Sequence, residues 1–98
     1  MDEIEIICIV KDRDGLVSHC GVKGYGVQDI LIIEKLIREE ACSFFIYDGE
    51  KKRNVSARTS IDGKIFLTTD PNGSDMNTLD ILPLFDRPLL RRLIETVR

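Results

Sequence analysis

The chain has no tryptophan, one histidine, two methionines and only three prolines among 98 residues. No apolar run approaches the roughly 20 residues that a membrane helix requires, and Met1-Asp2-Glu3 has no basic stretch leading into an apolar one. These absences predict a soluble chain that is not exported and has no membrane partner. A single histidine and the lack of a Cys-x-x-Cys clip leave little from which to build a metal site. The glycine motifs that cradle phosphates are missing as well: Gly21, Gly24 and Gly26 do not form G-x-G-x-x-G, and no G-x-x-x-x-G-K-[ST] occurs.

What is present is an ordinary globular composition, 43% hydrophobic and 32% charged, in a length that suits one domain spanning residues 1–98. Cys8, Cys20 and Cys42 are an odd number in a chain long enough to fold without staples, which predicts thiols and a cytoplasmic location. The net charge of −3 is unevenly spread: residues 1–50 carry five Lys/Arg against eleven Asp/Glu, and residues 51–98 carry nine against six. The second half can face an anionic partner, although the acidic total is not that of a dedicated nucleic-acid binder.

Three Asp-Gly pairs, Asp14-Gly15, Asp48-Gly49 and Asp62-Gly63, read as hairpin turns, because a tight hairpin needs positive φ that glycine supplies freely. They delimit strands over residues 4–11, 16–21, 42–47, 51–59 and 64–69. Val27, Ile30, Leu31, Ile33, Leu36 and Ile37 recur at helical spacing, which predicts a helix over residues 27–40 with Asp29 as its cap. A second helix is expected from Asp86-Arg87-Pro88 onward, where Leu89, Leu90, Leu93, Ile94 and Val97 form one stripe. The expected fold is α+β: an antiparallel sheet of four to five strands with a C-terminal amphipathic helix over residues 84–98, packed on the sheet or on a partner.

Two-residue loops at Asp48-Gly49 and Asp62-Gly63 would sort the last three strands onto two faces. Phe44, Ile46, Val55, Ala57 and Phe66 then form the core side. Phe45, Tyr47, Ile65 and Leu67 share the other with Lys52, Asn54, Ser56, Arg58 and Ser60. Aromatics beside a basic stripe suit single-stranded nucleic acid, since bases stack on rings while Lys and Arg follow phosphates. Phe45, Tyr47, Lys52, Asn54 and Arg58 are therefore the candidate partner or nucleic-acid face, and the leucine stripe of the C-terminal helix is the candidate self-association surface of a homodimer.

No cofactor, metal or catalytic residue is expected. His19 with Cys8, Cys20 and Cys42 is a nominal zinc set, but a three-residue Arg13-Asp14-Gly15 loop would set Cys8 opposite Cys20 and turn His19 away. Ser18-His19-Cys20 is read as a sequence neighbourhood whose side chains alternate across a strand, so no nucleophile lies beside the base. The acidic cluster of Asp12, Asp14, Glu39, Glu40, Asp48 and Glu50 reads as solvated turn and helix-end charge. Asp70, Asn72 and Ser74 open like a calcium loop, but Gly73 falls at the wrong position and Ile81 stands where a glutamate is required.

The run Ile7-Cys8-Ile9-Val10-Lys11-Asp12-Arg13-Asp14-Gly15, then Ser18-His19, then Phe44-Phe45-Ile46-Tyr47, resembles a widespread family of short prokaryotic proteins catalogued only as a domain of unknown function. Phe66-Leu67-Thr68-Thr69-Asp70-Pro71-Asn72-Gly73 and Asn77-Thr78-Leu79-Asp80-Ile81-Leu82-Pro83 extend the similarity over about residues 4–83. The resemblance implies the fold and carries no activity, ligand or catalytic residue. Members end soon after the Leu-Pro, whereas this chain continues to Arg98. The function expected from all of this is a non-enzymatic binding or protein-interaction module, with single-stranded nucleic-acid binding as one alternative and an enzyme of unrecognised type as another.

Overall fold

The computed structural model describes residues 2–73, 75 and 77–85. Its first hairpin is set by Asp12, whose carboxylate accepts the Asp14 and Leu16 amides at 2.9 and 3.0 Å. Gly15 takes φ +79°. The loop is the expected three residues, closed by Asp12 N–H to Leu16 O at 2.8 Å, and it joins β1 (Asp2–Lys11) to β2 (Val17–Val22).

A turn at residues 23–25 then returns the chain as β3 (Gly26–Asp29), a strand where the hydrophobic spacing predicts the start of a helix. The helix α1 (Ile30–Arg38) begins three residues later than expected because Asp29 itself is extended, at φ −64° and ψ 142°. Its carboxylate caps the Leu31 N–H at 2.8 Å, as a residue just outside a helix does. The far end closes as a Schellman motif, with Glu40 N–H on Ile37 O and Ala41 N–H on Leu36 O, both at 3.0 Å.

β4 (Cys42–Asp48), β5 (Lys51–Thr59), β6 (Ile65–Thr68) and a 3-10 turn (Thr78–Ile81) complete the described chain. The fold is α+β, but the sheet has six strands in the order β3-β2-β1-β4-β5-β6 and is mixed, not antiparallel. β4 runs parallel to β1, with Asp2 opposite Cys42 and Glu5 opposite Phe45. A parallel pair needs a long crossover, which β2, β3 and α1 provide. α1 covers one face of the sheet, and Ile33 is wholly buried there with Ile6, Ile9, Phe44, Ile46 and Leu67.

Two β-bulges in the first hairpin were not legible. Ile6 pairs with Val22 and Cys8 with Gly21, so Ile7 is an extra residue; Lys11 pairs with Val17 and Val10 with His19, so Ser18 is another. The first bulge lets Ile6 and Ile9 both join the core under α1, while Ile7 and Cys8 pack with Phe85. The second displaces the expected cysteine pair, because Cys20 now stands opposite Ile9. All three cysteines are thiols.

The later hairpins differ instructively from expectation. Between β4 and β5 the loop is Gly49-Glu50, with Asp48 paired to Lys51 and Gly49 at φ +62°. That shifts register by two and leaves every side chain on its expected face. Between β5 and β6 the loop has three residues, Ile61-Asp62-Gly63, closed by Ser60 N–H to Lys64 O at 2.8 Å with Gly63 at φ +84°. A one-residue difference turns β6 over: Leu67 pairs with Ala57 and Phe66 with Arg58. Ile65 and Leu67 therefore belong to the core side and Phe66 to the outer face, the reverse of the expected arrangement.

After the 3-10 turn, whose Leu79 is 1% exposed in the core, the chain reaches β1. Ile9 N–H bonds Pro83 O at 3.0 Å and Phe85 N–H bonds Ile9 O at 2.9 Å, so Leu84 forms a parallel bridge to Ile9. The expected C-terminal helix with Leu89, Leu90, Leu93, Ile94 and Val97 lies outside the described residues. Among the described residues, no helix is long and apolar enough to cross a membrane.

Candidate binding groove and outer face

The five residues of the expected partner face do share the outer face of the sheet. Phe45 and Tyr47 meet edge to face with centroids 5.5 Å apart, and Lys52 Nζ lies 4.5 Å from the centre of the Phe45 ring. Asn54 is opposite Phe45. Arg58 is opposite Phe66 and lies against the turn at Gly73, where an added Cβ would come within 2.7 Å of its Nε. One cation of the basic stripe is already paired: Lys52 Nζ is 2.7 Å from a Glu3 carboxylate oxygen, whereas the Arg53–Asp48 pair at 3.2 Å lies on the other face, where Arg53 stands opposite Ile46.

A second site was not expected. β2 and β6 have three strands between them in the sheet order, yet residues of both line one groove of about 450 Å³ with the start of α1. The sheet therefore curls around the helix and leaves a gap between these two strands. Ile65 and Leu67 line the groove from one side of β6 and Phe66 from the other, so the groove runs along the strand's edge. In an antiparallel pair the backbone groups alternate inward and outward. Because Ser60 and Lys64 form the bonded pair that closes the hairpin, Ile65 and Leu67 direct their N–H and C=O away from β5. Among the described residues these outward groups have no hydrogen-bond partner.

The β2 wall carries the polar groups. The bulge at Ser18 ends the strict alternation assumed from sequence, and Ser18 Oγ lies 2.8 Å from His19 Nδ1. The hydroxyl also reaches Val10 O at 3.2 Å. The other ring nitrogen, Nε2, faces Asp29 Oδ2 at 3.8 Å, near enough for electrostatic attraction but beyond a hydrogen bond. The sequence-based reading of Ser18 and His19 as adjacent without contact is thus overturned. Asp29 was legible as a helix cap, and no motif marked the register that sets it opposite His19.

The cysteines contribute no reactive centre here. Burial pushes the Cys20 thiol up to about 12, with Cys8 adding to the shift, and burial with nearby Asp2 raises Cys42. Among the described residues, no three His, Cys, Asp or Glu side chains are grouped to hold a metal ion. No protein-family model, curated protein or solved structure matches this chain.

Proposed function

We propose that the chain is a protein-interaction module that accepts an extended segment of a partner along the edge of β6. The observation that carries this is the pair of outward backbone donors and acceptors on Ile65 and Leu67, set beside a groove with an apolar floor. An added strand satisfies such groups by main-chain hydrogen bonds, and pockets for its alternate side chains supply selectivity. Leu16, Val17, Ile30 and Leu31 line the receiving surface. Asp12 and Asp29 each commit one carboxylate oxygen to backbone amides, the other oxygen of Asp29 faces His19 Nε2 at 3.8 Å, and both carboxylates line the groove. The fitting partner carries apolar residues at alternate positions and one Lys or Arg where it passes these aspartates.

The outer face is the weaker candidate, because Lys52 beside its two aromatics is already paired with Glu3. Ile65→Pro tests the groove. It removes an N–H that the β5 ladder does not use, and edge strands tolerate proline. With peptides selected from an extended-peptide library, wild type is expected to show amide shifts at Ile65 and Leu67, and Ile65→Pro to bind at least about tenfold more weakly. Selected peptides that perturb only Phe45, Tyr47 and Lys52 would refute the assignment.

A further inference from the structure

We propose that Ser18, His19 and Asp29 form an acyl-transfer site, acting on carboxylic esters whose apolar acyl chain lies in the same groove. This goes beyond strand binding and requires no bound partner. Three observations converge. The Ser18 hydroxyl oxygen is 2.8 Å from His19 Nδ1, the distance of a nucleophile engaged with its base. The opposite ring nitrogen faces the Asp29 carboxylate at 3.8 Å, which favours the tautomer with its proton on Nε2 and attracts the imidazolium that forms during reaction. All three residues line a groove whose other walls include Val17, Ile30 and Leu67, a surface that shelters an acyl chain from water.

The arrangement reverses the familiar ring usage, since Nδ1 serves the serine and Nε2 the carboxylate, but roles are defined by geometry and not by atom name. Ser18 has one proton and two acceptors in reach, and the imidazole is nearer than Val10 O. In the first step Oγ attacks the ester carbonyl carbon while its proton passes to Nδ1. The carbon–oxygen bond to the alcohol breaks, and the alcohol leaves with that proton. A water then attacks the acyl-serine, giving one proton to Nδ1. The acyl–Oγ bond breaks, Ser18 recovers the proton, and a carboxylic acid departs.

The test uses the domain alone with a fluorophosphonate probe and with p-nitrophenyl butyrate. Intact mass should show one adduct and peptide mapping should place it on Ser18, with none there in Ser18→Ala. His19→Gln should slow labelling and p-nitrophenolate release by roughly 100-fold or more. Asp29 is a positioning residue, and Asp29→Asn separates its two roles: asparagine keeps the helix cap but loses the charge. An unchanged amide spectrum with at least about tenfold slower labelling is expected. Labelling that ignores His19, lands on another residue, or is absent from the folded wild type would overturn the proposal. Because no peptide is present, its failure leaves the strand-acceptor reading standing, and the converse also holds.

Discussion

At the scale of single residues, the bulged Ser18 and the buried Cys20 make opposite points about reactivity. Cys20 is the more nucleophilic element by type, but a thiol held protonated up to about 12 offers no thiolate at neutral pH. Its burial has a consequence for stability. In the unfolded chain Cys20 ionises near its ordinary 9.0. Below that both states hold the proton and the difference vanishes. Between pH 9 and 12 only the unfolded state loses it, so stability falls as pH rises, at most by about 1.4 kcal/mol per unit. Urea midpoints measured at about pH 8 and about pH 10.5 should separate more in wild type than in Cys20→Ala, and equal separations would assign the alkaline loss elsewhere. Ser18 depends instead on its neighbour, and the labelling experiment above addresses it at this scale.

At the scale of elements, the ends of α1 carry unequal solutions. Asp29 is a favoured cap, whereas Glu40 sits at φ +56° in the Schellman position that glycine fills most easily. Glu40→Gly relieves that conformation and is expected to raise stability by about 0.5–1 kcal/mol in urea denaturation. A fall would mean that the Glu40 side chain contributes more than its backbone costs. The hairpins add a second lesson. Gly15 and Gly63 both close three-residue loops, but only the first was legible as such, because Asp62 engages Ser60 through its side chain and Ser60 Oγ also takes the Lys64 N–H at 3.2 Å. That one residue decides whether Leu67 or Phe66 faces the core.

At the scale of the whole molecule, the sheet is completed by a segment with little regular structure. Leu79 enters the core from the 3-10 turn, while Leu84 pairs with β1 through its backbone and remains 60% exposed. Leu79→Ala should cost about 2–4 kcal/mol and Leu84→Ala less than about 1 kcal/mol in the same denaturation assay. Comparable losses would indicate that the segment is held by pairing and not by the buried side chain. The curl of the sheet around α1 also creates the groove, since it brings β2 and β6 together across a gap that neither strand defines alone.

The α+β class, the first three-residue turn, the Asp29 cap and the shared face of Phe45, Tyr47, Lys52, Asn54 and Arg58 follow from sequence, because each rests on local φ preferences or on period-two alternation. The extra strand β3, the parallel pairing of β1 with β4, both bulges and the inverted β6 do not. A bulge alters alternation without changing residue types, and a parallel pair joins segments about forty positions apart, Asp2 with Cys42, on the strength of packing around Ile33. Tertiary structure alone therefore set Ser18 against His19, His19 opposite Asp29, and the edge of β6 beside all three.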